Sequence, residues 1–294
     1  MNLRPQPNSD KMSGQAIAFL AKLSRTYTLP DCLIIGAQKA GTTSLASHLA
    51  AHPCVVSPSY KEVHFFDLHY GMGAEWYRSH FPIGARRRLG SQLQRRRLLA
   101  VDATPYYVLH PQVPLRASQL IPKARIILLL RDPIDRAYSQ YHHEVRLGAE
   151  KLPFEQALEA EPSRIAGEAQ RFGNEPLYES FNYQHFTYLE RGIYSDQIAR
   201  WLTYFRPDQF LVLSAEEFFK SPAAEYRRVV KFLGLPAWEL TSYPAEHVGK
   251  YAPMSSVTRD RLRQFYAPHN RTLRDCLNSN WPGSGDTIVG RFSS

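Results

Sequence analysis

The residues "LIIGAQKAGTTSL" (33–45) run from an apolar stretch into Gly36, through Lys39 to Gly41, and on to three hydroxyls, Thr42, Thr43 and Ser44. Glycines at this spacing let a short loop fold tightly and point its N–H groups at one anion, and a helix opening at Gly41 adds partial positive charge. The pattern is a phosphate cradle. It departs from the nucleotide-hydrolysing loop G-x-x-x-x-G-K-[ST], which has lysine directly after its second glycine, where this chain has Thr42. That lysine would reach the β- and γ-phosphates. Lys39, three positions earlier at the crown of the loop, instead suits a donor with one phosphate beside the reacting bond. Asp102, after "LLAV", is the acid a P-loop kinase or NTPase would use with magnesium, so that class stays open, as does a non-catalytic anion-binding module.

A second anion site follows "RIILLL" (125–130). Arg131 stands at the strand exit, Asp132 can cap the next helix, Pro133 fits its first position and Asp135 favours its dipole. Ser139, six residues beyond Pro133, is nearly two turns on and returns to the side of the helix start. Arg131 and Ser139 together offer one bidentate cation and one hydroxyl. In "KEVHFFD" (61–67), Glu62 and His64 alternate with Val63 as on a strand, which projects them the same way. Locally, Glu62 reads equally as a surface partner of Lys61 with His64 a half-buried ring, and Phe65 and Phe66 read as core.

These groups need a scaffold that brings the ends of several strands together. "CLIIG" reads as a buried strand and "TTSLASHLAAH" as a helix with Leu45, Ala46, Leu49 and Ala50 on one face, stopped by Pro53. "LLAVD" (98–102), "ARIILLL" (124–130) and "FLVLS" (210–214) have the look of further parallel strands separated by helical patterns. The fold class expected is α/β, an open parallel sheet with crossover helices and its ligand at the carboxyl ends of the strands. One domain covers residues 31–294. Residues 1–30 form an N-terminal extension, with a weak amphipathic helix from Ser13 to Leu23.

Lys and Arg outnumber Asp and Glu by 36 to 27, a formal charge of +9 that favours anionic ligands. Cys32, Cys54 and Cys276 are an odd set without metal-like spacing, so a disulfide framework is not expected and a reducing, cytoplasmic compartment is. The longest apolar runs fall far short of the roughly 20 residues that cross a bilayer. Six arginines between Arg86 and Arg97 lack the interleaved aromatics of a nucleic-acid stacking platform and read as a solvated face. "HHE" (142–144) is a poor metal site, because consecutive helical residues point about 100° apart. The aromatic stretch at 178–194 reads as a wall of the acceptor site or as core.

Taken together, "GAQKAGTTSL", "KEVHFFD" and "RIILLLRDPIDRAYSQYHHE" resemble the sulfotransferases that use 3′-phosphoadenosine-5′-phosphosulfate (PAPS), nearest the heparan-sulfate type. The similarity continues through "RGIYSDQIARWLTYFRPDQFLVLSAEEF" (191–218) and "FLGLP" (232–236), so it covers most of the chain after Asp31. It implies a P-loop NTPase-like sheet, PAPS as donor co-substrate, its bisphosphate PAP as product, and no metal. The 5′-phosphate would be held by Lys39, Gly41, Thr42, Thr43 and Ser44, with Lys39 also neutralising the bridging oxygen. Arg131 and Ser139 would take the 3′-phosphate. Glu62 would be the general base, His64 would orient it or touch the acceptor, and Lys250 would be a further phosphate contact. Ala103, in "VDATPYY", stands where the family often carries a lysine near the reacting sulfate. The acceptor would be a carbohydrate or small molecule bearing a hydroxyl.

Overall fold

Five short apolar runs form one parallel sheet in the computed structural model, which describes residues 27–58, 60–82, 98–246, 249, 251–282 and 284–292. The strands are β1 (Cys32–Gly36), β2 (Val55–Val56), β3 (Leu99–Ala103), β4 (Arg125–Leu130) and β5 (Phe210–Ser214), in the order β2-β3-β1-β4-β5. Every residue of β1 and β3 is buried, as a strand covered by helices on both faces requires. Four of these strands stand where the apolar runs place them. β2 is only two residues long and carries no period by which the sequence could reveal it.

Helix α1 (Thr42–Ala50) leads from β1 to β2, and α2 (Val113–Leu120) from β3 to β4. Between β4 and β5 come α3 (Pro133–Leu147), α4 (Phe154–Arg164) and α5 (Tyr194–Leu202), and after β5 come α6 (Ala215–Lys220), α7 (Pro222–Phe232) and α8 (Ser256–Asn280). The chain runs outward from β1 to β2, returns to β3, then crosses to β4 on the other side of β1. Strand order therefore reverses at β1, and the crevice this leaves lies at its carboxyl end.

The main core fills both faces of the sheet. A second cluster, with Ile134, Phe154, Leu158, Tyr188, Leu262 and Tyr266, joins α3, α4 and α8. Tyr183, Tyr188 and Tyr194 of the aromatic stretch are buried, which settles their role as core. Phe65 and Phe66 are core too, as expected. Residues 27–30 are already tied to the fold: Tyr27 bridges Pro82, and the Thr28 amide donates to the Phe81 carbonyl. The helix expected at 13–23, the arginines between 86 and 97, and Lys250 lie outside the described residues. Among the described residues no helix is long and apolar enough to cross a membrane.

Candidate active site

The loop after β1 takes the shape its glycines allow. Gly41 is the N-cap of α1 with φ 94°, and a Cβ there would lie 2.8 Å from Cζ of Phe219. The backbone conformation favours glycine, and a side chain there would also have to displace the Phe219 ring. Lys39 itself has φ 70°, an unusual state for a lysine. Among the described residues no side chain caps α1 and no acid sits in its first turn, so its amides and dipole face outward unneutralised. Arg131 Nη1 donates to the Lys39 carbonyl at 2.9 Å, tying the crown of this loop to the end of β4.

The second half of the site is built on α3. Asp132 caps the helix by accepting from the Ile134 amide at 2.8 Å, and Pro133 takes the first position, as cap chemistry predicts for this sequence. Glu216 braces the cap, accepting from the Asp132 amide at 2.9 Å and from the Ser214 hydroxyl at 2.8 Å. Burial pushes the Asp132 carboxyl up to about 6; the Ile134 amide opposes this and the Asp135 and Glu216 carboxylates add to it. A carboxyl with a raised pKa binds its proton more tightly when folded, so stability is withdrawn as pH rises from its unfolded value to about 6. Asn keeps the cap without ionising. Asp132→Asn should therefore raise Tm at pH 8 by about 2–4 °C, with the two proteins converging near pH 3.5, as thermal unfolding across pH will show.

Lys39, Thr42, Thr43, Glu62, Arg131 and Ser139 all line one cavity of about 690 Å³, within the size range of small-molecule sites. The cavity face of α3 continues from Ser139 to His143 and Arg146, spaced to fall on one side of the helix. Burial lowers the Lys39 pKa, and nearby Arg146, Arg131 and Lys61 lower it further. Cations that repel one another across a cavity are relieved by an anion between them. Tyr251 lines the same cavity and stacks on His142, ring centroids 4.3 Å apart.

Glu62 and His64 do point toward one another, but not from a strand. Both have left-handed φ, 61° and 53°, in a turn that drives Val63, Phe65 and Phe66 into the core. The turn is held where the Phe65 amide donates to the Tyr107 hydroxyl at 2.9 Å. Such conformations cost about 1–3 kcal/mol each and persist only where surrounding packing imposes them. His64 Nε2 lies 3.5 Å from Glu62 Oε2, and its Nδ1 lies 2.8 Å from Asp67 Oδ2. Burial works against the charge on His64, but Asp67 and Glu62 overcome it and push its pKa up to about 10. Burial likewise raises Glu62, and is outweighed by His64 and Lys61, which hold it down at about 2. Asp67 is a site residue that sequence reasoning does not single out; its signal is the three-residue spacing from His64.

Other expected groups go elsewhere. The Ser44 hydroxyl is buried away from the cavity and accepts from the Glu246 amide at 2.9 Å, so it anchors the 244–246 segment. His48 anchors the same segment through the Pro244 carbonyl at 3.1 Å, and His52 holds the chain further upstream through the Pro236 carbonyl at 2.9 Å. Asp102 does not line the cavity. It is fully buried and accepts from Tyr77, Thr104 and Tyr107, which removes it as a magnesium ligand for a kinase or NTPase. Glu144 is bound to His185 at 2.8 Å while His142 stacks on Tyr251, so "HHE" splits in different directions. Arg191, wholly buried, donates to Gln38 Oε1 at 2.7 Å and so positions the loop from 153 residues away.

Comparison with known proteins adds a family to this geometry. A family model described as "Sulfotransferase domain" matches residues 29–278. The human bifunctional heparan sulfate N-deacetylase/N-sulfotransferase 3 is 31% identical over 282 residues, covering 85% of this chain and 30% of that protein. The mouse heparan sulfate glucosamine 3-O-sulfotransferase 3B1 is 32% identical over 267 residues, covering 83% of this chain and 62% of that protein. The chain thus spans less than two thirds of the length of either relative. The crystal structure of a sulfotransferase from Alicyclobacillus acidocaldarius superposes with a TM-score of 0.62 at 28% identity, covering 85% of this chain and 96% of that one.

Proposed function

This chain belongs to the sulfotransferase family, and from that premise we propose that it transfers a sulfuryl group from PAPS to an acceptor hydroxyl or amine. One observation carries the reading: a single cavity holds a single-phosphate cradle, a separate Arg131/Ser139 pair and a carboxylate. The residues fit the donor at both ends. Lys39, the amides at Gly41 and the hydroxyls of Thr42 and Thr43 hold the 5′-phosphate, and Arg131 with Ser139 holds the 3′-phosphate. The donor supplies an activated sulfuryl group on its 5′-phosphate. Lys39 neutralises charge left on the bridging oxygen, and Glu62 takes the acceptor proton while His64, fixed by Asp67, orients it.

The relatives' names point to heparan sulfate, which makes a carbohydrate the first acceptor class to try. A cytoplasmic location is part of the proposal; the three cysteines, all free thiols in the fold, support it. The test is incubation of purified protein with labelled PAPS, without added metal, and a panel of heparan-derived oligosaccharides, simple sugars, and aliphatic and aromatic alcohols. Label on at least one acceptor is expected. No transfer, together with ATP hydrolysis, would move the protein to the kinase or NTPase class.

A further inference from the structure

Two cavities meet at the reaction centre. The large one and a smaller one of about 170 Å³ share Thr43, Lys61 and Glu62. Ala103, the last residue of β3, offers only a methyl to the smaller cavity, so no cation reaches the centre from that strand. Among the described residues, the ammonium bonded to Glu62 is that of Lys61. Its Nζ lies 2.5 Å from Thr43 Oγ1 and 2.8 Å from Glu62 Oε1.

One ammonium therefore spans from the first turn of the anion-binding helix to the carboxylate. With both side chains more than a third exposed, the Lys61–Glu62 pair contributes little to stability as a surface ion pair. Its place is what matters, because a group moving from the phosphate cradle toward an acceptor at Glu62 must pass through this span. Lysine carries three donors on a rotatable head, so it can leave the carboxylate for another acceptor while keeping Thr43.

We propose that Lys61 is a catalytic residue of the sulfuryl transfer, passing its ammonium from Glu62 to the transferring group as the donor fills the cavity. The inference rests on the reading of the protein as a PAPS-dependent transferase. In the step, the bond from sulfur to the bridging oxygen breaks and its electron pair stays on the 5′-phosphate, beside Lys39. The acceptor oxygen forms the new bond to sulfur, and its proton goes to Glu62. Lys61 stays charged throughout and donates to the negatively charged sulfuryl oxygens as the group passes from donor to acceptor. Its departure also strips one of two cations from Glu62, which makes that carboxylate a better base once the donor has arrived.

Lys61→Met and Lys61→Arg test this in the full chain, using labelled PAPS and the first acceptor in the panel that the wild type sulfates. Lys61→Met should lower kcat about 30-fold while the calorimetric Kd for PAP changes less than about threefold, and Lys61→Arg should recover part of the loss. A kcat within threefold of wild type in Lys61→Met would overturn the proposal. So would a loss of PAP affinity equal to the loss of kcat, which would make Lys61 a binding residue only. Wild-type protein that sulfates nothing would overturn the reading beneath it as well.

Discussion

Glu62→Gln is expected to lower kcat by about a thousandfold while leaving PAP affinity within about twofold of wild type. The substitution keeps the shape and one of the two oxygens that Lys61 and His64 address separately, but an amide accepts no proton from the acceptor. Because the loss is confined to the chemical step, kcat and kcat/KM fall together. The paired titrations fix the pH behaviour. Glu62, held down at about 2, contributes stability above its unfolded value that is lost only as pH falls through about 2. His64, pushed up to about 10, contributes stability fully present below its unfolded value and lost as pH rises through about 10. Neither group changes charge between pH 5 and 8 in the free enzyme, so neither puts a limb on wild-type kcat/KM in that window, as steady-state assays across pH will show. Equal activity of Glu62→Gln and wild type would remove Glu62 as the base.

Arg131→Ala is expected to weaken PAP binding about 100-fold, or ~2.8 kcal/mol, the scale of a charge-assisted bidentate contact to phosphate. On that assignment Arg131 would have two duties, since it also donates to the Lys39 carbonyl. The duties separate with adenosine 5′-phosphosulfate, which lacks the 3′-phosphate. If Arg131 acts on that phosphate, its removal should change the binding of this shorter ligand less than about threefold. Equal weakening of both ligands would mean that the arginine works only by holding the loop. Arg131→Lys should fall between wild type and Ala, because a point charge replaces a planar fork.

Much of the fold and of the site is legible in the order of the residues alone. Apolar runs bounded by turn residues mark four of the five strands, because fully buried parallel strands need no polar alternation. The Asp132–Pro133 start of α3 and the return of Ser139 to the cavity follow from cap chemistry and helical pitch. What escapes local reading depends on contacts far apart in sequence. Alternation predicts Glu62 and His64 on a strand, but Tyr107, Asp67 and the buried Phe65 and Phe66 impose a left-handed turn that no local pattern signals. Ser44 has the same chemistry as Thr42 and Thr43, yet its place in α1 turns it toward Glu246. The grip of Arg191 on Gln38 and of His48 and His52 on the 236–246 segment joins residues more than 150 positions apart. Local periodicity carries no information at that range.

On the proposed reading, two separate phosphates of one adenosine are held at opposite ends of its ribose, by Lys39 on one side and Arg131 on the other, and this is what would distinguish the site from one that hydrolyses nucleotides. Calorimetric titration of the wild-type protein with PAP and with ADP, each with and without magnesium, decides between them. Tight binding of PAP without metal and much weaker binding of ADP is expected. Tight magnesium-dependent binding of ADP with none of PAP would refute the assignment of both phosphate sites.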